Sequence, residues 1–309
     1  MKYAIVFPGQ GSQSFGMLSD LSGNFSIVKD IFSEASDALD LDLWKLVQED
    51  EDALNLTKNT QPAMLSAGYA TYKVLSNEVD LSPICMAGHS LGEYTALVAA
   101  NSLNFFEAVK LVRKRAELMQ SAVPSGTGAM AAILGLEDEK VIEICTQSKI
   151  LGVVEAVNFN SPGQVVIAGE KDAVNNACEV MKNVGAKRTL VLPVSVPSHC
   201  SLMNNAAQEF SYSVDAVNCK MGEANVLHNV DASYADDVNE IKLKLVEQLC
   251  KPVLWTLSVQ KMKESGVEKL IELGPGKVLA GLTRRIDKSL SSLAVIDTAT
   301  VQSTIEEIS

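Results

Sequence analysis

Gly88-His89-Ser90-Leu91-Gly92 reads G-x-S-x-G, and it lies between a short apolar run at 84–87 and a helical pattern that begins at Leu91. That strand-to-helix setting is the one in which a serine can be presented as a nucleophile. The turn is tight, so its flanking positions favour glycine, and the hydroxyl is lifted clear at a helix N-terminus. There the Leu91 amide and the helix dipole can hold an oxyanion. The competing reading is a glycine-rich turn with an idle serine.

A serine nucleophile needs a base. The chain has three histidines, His89, His199 and His228. His89 is adjacent to Ser90 within the turn, and its side chain is expected to point away from the hydroxyl. His228 lies in the alternating segment Val226-Leu227-His228-Asn229-Val230, which suggests a strand and a satisfied core or surface histidine. His199, in the loop Val196-Pro197-Ser198-His199, is the best base by elimination.

Arginine is scarce, and Arg115 stands out among the five. It follows Val112 by three residues and precedes Met119 by four, which places it on the apolar stripe of a helix over 105–120. A guanidinium there must find an anion or snorkel out. Two readings stay open: a structural salt bridge, or a fork for a substrate carboxylate. Gln248 poses the same choice. It projects between Ile241 and Leu245 on a helix over 241–249, either as a satisfied core amide or as a polar contact in a site.

Two glycine-rich loops carry no nucleotide signature. Gly9-Gln10-Gly11 is followed by Ser14 where the dinucleotide fingerprint needs glycine, and Gly276-Lys277-Val278 lacks the upstream glycine and the Ser/Thr of a P-loop. The first loop follows the strand at 4–7, and from there the Gln10 amide can serve as a second oxyanion donor.

The elements that must position these groups fall into two textures. Buried strands are expected at 4–7, 84–87 and 269–273, with helices at 25–39, 61–76, 91–100, 105–120 and 241–249. Pro124-Ser125-Gly126-Thr127-Gly128 reads as a linker. Beyond it come strand 129–136, helix 137–148, strands 153–158 and 165–168, helix 172–184 and strand 189–194. That order, βαββαβ, is the ferredoxin-like unit. The expected architecture is a discontinuous α/β unit, 1–124 plus 196–309, with a small unit of 125–195 inserted.

Composition bounds the function. The chain has 309 residues, 47% of them hydrophobic, so a substantial core is available. Lys plus Arg is 26 and Asp plus Glu is 38, a formal net charge of -12. General nucleic-acid binding and docking on anionic membranes both want the opposite sign. Six cysteines without a C-x-x-C pair, and so few histidines, argue against a zinc site and fit a reducing compartment. The N-terminal apolar run is too short for a signal peptide, and the uncharged stretches 118–136 and 189–208 are broken by Pro, Gly, Ser and Asn. A cytoplasmic protein is expected.

Taken together, FPGQGSQ at 7–13, TQPA at 60–63, AGHSLGEY at 87–94, PSGTGAMAAILGL at 124–136, NFNSPGQVVIAG at 158–169, PVSVPSHC at 193–200, QL at 248–249 and ELGPGKVL at 272–279 resemble the malonyl-CoA:acyl carrier protein transacylase family. The resemblance runs nearly end to end and in order. It implies a hydrolase-like parallel-sheet α/β domain with an inserted ferredoxin-like small domain. It also implies transfer of a malonyl group from malonyl-CoA to the pantetheine thiol of holo acyl carrier protein, in fatty-acid synthesis. By the same resemblance Ser90 is the nucleophile, His199 the base and Arg115 the carboxylate ligand. Gln10 and Leu91 give the oxyanion amides, and the main-chain carbonyl of Gln248 orients the histidine. Met130 and Asn160 stand near the acyl or thioester end. The implied chemistry needs no metal or redox cofactor. Carrier protein and CoA are both anionic, so docking on this acidic chain needs a basic patch. Lys187-Arg188 and Arg284-Arg285 are the candidate pairs. The competing class is a serine hydrolase or thioesterase of the α/β-hydrolase type, which shares G-x-S-x-G but does not explain an arginine on an apolar stripe.

Overall fold

The computed structural model describes residues 1–194 and 196–309. Ser195, the last residue of the small unit as the sequence divides the chain, lies outside the described residues. In chain order the strands are β1 (Tyr3–Phe7), β2 (Met86–Gly88), β3 (Gly128–Leu134), β4 (Val154–Ser161), β5 (Gln164–Glu170), β6 (Arg188–Val191), β7 (Val226–Leu227), β8 (Lys269–Leu273) and β9 (Ser291–Val295).

Continuous apolar runs are what a sheet buried on both faces requires. Accordingly β7, β2, β1, β8 and β9 pair side by side in that order, every neighbour parallel. Ile5, Phe7, Ile271 and Leu273 face one core, shared with the helices Ile27–Leu39, Thr57–Glu78 and Phe105–Ser121. Ala4, Val6, Ala87 and Leu270 face the other, closed by Trp255, Val259 and Met262 of the helix Trp255–Glu264.

The second sheet is antiparallel, in the order β4, β5, β3, β6. The helices Asp138–Ser148 and Lys171–Asn183 cover one face, over Ala131, Ile133, Val165 and Ile167. From the other face Met130, Val166 and Ala168 pack with Cys200, so this sheet backs the loop that carries His199. The fold is α/β: a hydrolase-like parallel sheet with a ferredoxin-like unit inserted between β2 and β7.

Several boundaries differ from expectation, among them the strand suggested at 226–230, which ends at Leu227 before His228, and three have a local reason in the contacts. The helix expected at 61–76 starts at Thr57 and runs through Pro62. Proline lacks the N–H that would bond the carbonyl four residues back. That carbonyl, on Lys58, accepts from Arg113 Nη1 at 3.3 Å instead. The strand expected to reach 194 stops at Val191; Leu192 still donates to the Met130 carbonyl at 2.9 Å, and Pro193 has no N–H to continue the ladder. The helix expected at 241–249 spans Val238–Glu247, opened by the Asp237 side chain on the Glu240 amide at 2.9 Å. Gln248 therefore sits at its C-cap.

Candidate active site

Ser90 has φ 52° and ψ −109°, a conformation a non-glycine residue holds only under constraint. The constraint is visible on both sides. A Cβ on Gly88 would collide with the backbone of Gly92, and one on Gly92 with the carbonyl of Phe7. Asn229 clamps the turn as well: its Oδ1 accepts from the Ser90 amide and its Nδ2 donates to the Gly88 carbonyl, each at 2.7 Å. The Ser90 amide is thus occupied. The main-chain N–H groups of Gln10 and Leu91 donate to no acceptor among the described residues, and both residues line the pocket over Ser90.

His199 is buried and also has a positive φ, 66°. Its amide donates to the Leu249 carbonyl at 3.0 Å, which ties the loop to the end of the helix Val238–Glu247. Nδ1 donates to the Gln248 carbonyl at 2.6 Å, which leaves Nε2 as the acceptor for Ser90 Oγ at 2.8 Å. Burial pushes the imidazole pKa down to about 3; the nearby Arg115 guanidinium and His89 add to the depression, and the Gln248 carbonyl opposes it.

Arg115 is 1% exposed. Nη1 donates to Gln61 Oε1 at 2.9 Å, and Nη2 to Gln248 Oε1 at 2.9 Å and to Ser90 Oγ at 3.2 Å. Nε finds no partner among the described residues. Its protein ligands are amide and hydroxyl oxygens; among the described residues it forms no ion pair, so the salt-bridge reading finds no acid. Burial lowers its pKa from the usual arginine value.

Gln248 is at once a satisfied core amide and a site residue. Besides its main-chain bond to His199 and its Oε1 bond to Arg115, its Nε2 donates to the Ser90 carbonyl at 3.0 Å. Met130 lines the pocket. Asn160 instead places its Oδ1 2.8 Å from His89 Nε2. Asn158, two residues earlier, lines the pocket and has a buried Oδ1 without a hydrogen-bond partner among the described residues. His228 is a satisfied core histidine, its Nδ1 2.7 Å from Glu93 Oε1. Lys187, Arg188, Arg284 and Arg285 are exposed and do not line the pocket.

Sequence reasoning assigned no role to Gln61, Glu93, Asn158 or Asn229. Gln61 lies in the TQPA segment and Asn158 opens NFNSPG, so both carried a signal by resemblance alone. Glu93 lies in AGHSLGEY, three residues after Ser90, and carried the same signal; nothing in spacing ties Asn229 to Ser90, 139 residues away along the chain.

A serine at a strained strand-to-helix elbow, with a buried histidine on its hydroxyl, defines an acyl-transfer class of α/β protein. The chain matches the acyl transferase domain family over residues 4–304. It is 52% identical over 300 residues to the malonyl CoA-acyl carrier protein transacylase of Haemophilus influenzae, covering 96% of each chain. It is 48% identical over 306 residues to that of Escherichia coli K12, covering 99% of each. The solved acyl carrier protein S-malonyltransferase of Vibrio cholerae superposes with a TM-score of 0.96 at 52% identity, over 98% of this chain and 100% of that one. A malonyl-transacylase solved in complex with a type II polyketide acyl-carrier protein superposes at 0.98 with 48% identity, over 99% of this chain and 100% of that one. The chain belongs to the acyl transferase family, in its malonyl CoA-acyl carrier protein transacylase group.

Proposed function

We propose that this protein moves a malonyl group from malonyl-CoA to the pantetheine thiol of an acyl carrier protein, through a malonyl-Ser90 intermediate. One observation carries the choice of acyl group: a buried guanidinium that forms no ion pair among the described residues reaches the nucleophile itself, Arg115 Nη2 to Ser90 Oγ at 3.2 Å. An apolar pocket accepts a carboxylate only if a partner waits there, and a guanidinium supplies it in a planar fork.

The steps follow from the contacts. His199 Nε2 takes the proton of Ser90 Oγ as the oxygen attacks the thioester carbon. The oxyanion is held by the Gln10 and Leu91 amides. The C–S bond breaks, and the CoA thiolate leaves with the proton from His199. The carrier thiol then gives its proton to His199 and attacks malonyl-Ser90; the bond from Oγ to the acyl carbon breaks and His199 returns the proton to Ser90 Oγ. Arg115 holds the malonyl carboxylate in both half-reactions, and Met130 borders the acyl chain. Residues 1–124 and 196–309 form the catalytic unit, and 125–195 the small one. The six unpaired cysteines support a reducing, cytoplasmic setting.

Intact mass after mixing with malonyl-CoA tests the reading. One added malonyl group, mapped to Ser90 and absent from Ser90→Ala, is expected. Rapid loss of the label to water without carrier protein would favour a hydrolase, and labelling of a cysteine would remove Ser90 from the mechanism.

A further inference from the structure

The buried acid nearest this machinery takes no part in the steps above. Glu93 is 0% exposed, on the first turn of the helix Leu91–Ala99. Its Oε1 faces His228 Nδ1 at 2.7 Å. Its Oε2 accepts from the Asn229 amide at 2.9 Å and from Gln248 Nε2 at 2.8 Å.

An amide has a donor end and an acceptor end, and its neighbours decide which faces where. Gln248 Nε2 faces three acceptors, Glu93 Oε2 at 2.8 Å, the Ser90 carbonyl at 3.0 Å and, more distantly, Asn229 Oδ1 at 3.5 Å, while Oε1 faces the Arg115 Nη2 donor at 2.9 Å. Turned over, the amide would set donor against donor at Arg115 and acceptor against acceptor at Glu93. We propose that Glu93 is a positioning residue: it fixes the Gln248 amide and thereby aims the Arg115 guanidinium at a carboxylate-bearing acyl group. This rests on the malonyl-transfer reading given above.

The effect belongs to the acyl end of the site. The His199 contact uses the main-chain oxygen of Gln248, which the helix end holds in place. Asn229, which holds the Ser90 amide, keeps two anchors besides its amide bond to Glu93: Nδ2 on the Gly88 carbonyl at 2.7 Å and the Leu254 amide on its own carbonyl at 2.9 Å. Loss of Glu93 therefore loosens Arg115 more than it disturbs Ser90 or His199.

The test is the ratio of kcat/KM for malonyl-CoA to that for acetyl-CoA, in wild type, Arg115→Ala, Glu93→Met and Glu93→Gln. Methionine is close in volume but offers no comparable acceptor. Glutamine keeps an oxygen for Asn229 and Gln248 and turns its NH2 toward His228 Nδ1. Glu93→Met is expected to lower the ratio by about tenfold or more, the scale of a misaimed binding group. Glu93→Gln is expected to keep it within about threefold of wild type. An unchanged ratio in folded Glu93→Met, with both substrates slowed alike, overturns the positioning role. If Glu93→Met does not fold, Gln248→Met leaves Glu93 with His228 and Asn229 and removes the relay together with its direct bonds to Arg115 and the Ser90 carbonyl; a fall in ratio at least as large is expected, and an unchanged ratio overturns the proposal. A wild type without malonyl preference overturns the functional reading itself. A preference lost in Arg115→Ala and kept in Glu93→Met overturns the positioning role alone.

Discussion

His199 carries its proton chemistry in a place hostile to charge, and that sets its pH behaviour. Burial and the neighbouring Arg115 hold its pKa near about 3, so the free enzyme keeps a neutral imidazole ready to accept the Ser90 proton across the whole neutral range. kcat/KM for malonyl-CoA, which reports the free enzyme, should be flat between about pH 5 and 8. A fall centred near the ordinary imidazole value of about 6.5 would refute the assignment. The same shift has a stability side. The unfolded histidine takes a proton as pH drops below about 6.5, and the folded one does so only near its depressed value. The stability it lends is therefore whole above about pH 6.5 and lost as pH falls toward about 3. His199→Ala should slow Ser90 acylation by roughly 10²–10⁴-fold in stopped-flow assays, the usual worth of a general base. Arg115 decides between substrates. Acetyl leaves the guanidinium buried without an anion, at a cost on the order of 3–5 kcal/mol, or roughly 10²–10⁴ in rate preference. Arg115→Ala should lose most malonyl transfer while keeping or gaining acetyl transfer. Arg115→Lys should recover little, because a point charge lacks the fork. Equal loss with both substrates in a folded variant would remove Arg115 as the selector.

The elbow between β2 and the helix Leu91–Ala99 depends on backbone contact that only glycine permits. Gly92 packs against the carbonyl of Phe7 at the end of β1, so Gly92→Ala should cost about 1–3 kcal/mol or more in urea unfolding, with Ser90 displaced and acylation impaired. Gly23 has open space around its Cβ position and a negative φ, so Gly23→Ala should be neutral or stabilising by up to about 1 kcal/mol. Equal stability of the two variants would mean the elbow relaxes. These elements show what a sequence can and cannot display. The parallel strands were legible because burial on both faces writes them as unbroken apolar runs, and the elbow because its glycines bracket one serine. The stripe position of Arg115 was legible too, but its partners were not. Gln61 and Gln248 lie 54 and 133 residues from it, and only the packed helices bring them within reach. The early start of the helix Thr57–Glu78 was hidden because Pro62 reads as a beginning, while Arg113 satisfies the carbonyl it leaves open. The helix Thr298–Ile308 carried a readable signal, the Asp297 and Thr300 capping box, that the apolar pattern did not draw out.

The whole molecule is acidic, with a formal net charge of -12, yet both of its proposed partners are anionic. Long-range attraction then has to come from a local concentration of basic groups. The two exposed basic pairs converge on one turn of the small sheet. Lys187 packs over Gly135, whose amide donates to the Gly163 carbonyl at 2.8 Å, and Arg285 Nη1 donates to Gln164 Oε1 at 2.8 Å. Arg188 stands opposite Leu134 on β6, and Arg284 precedes Arg285 on the helix Val278–Ile286. The patch thus joins the inserted unit to the large one, and none of its four basic residues lines the pocket. A carrier protein that rests there would be read by charge, while acylation of Ser90 by malonyl-CoA proceeds independently. Arg284→Glu should therefore raise the apparent KM for carrier protein by about fivefold, in the range of one or two exposed ion pairs. Acylation of Ser90 by malonyl-CoA should stay at the wild-type rate. Because such contacts are screened, the difference between variant and wild type should shrink as salt rises from about 0.05 to 0.5 M. The two half-reactions are measured separately, by single-turnover acylation and by transfer from preformed malonyl-enzyme. Equal loss in both would mean that Arg284 serves CoA binding or folding. Loss in the second half alone, erased by salt, would place carrier docking on this turn.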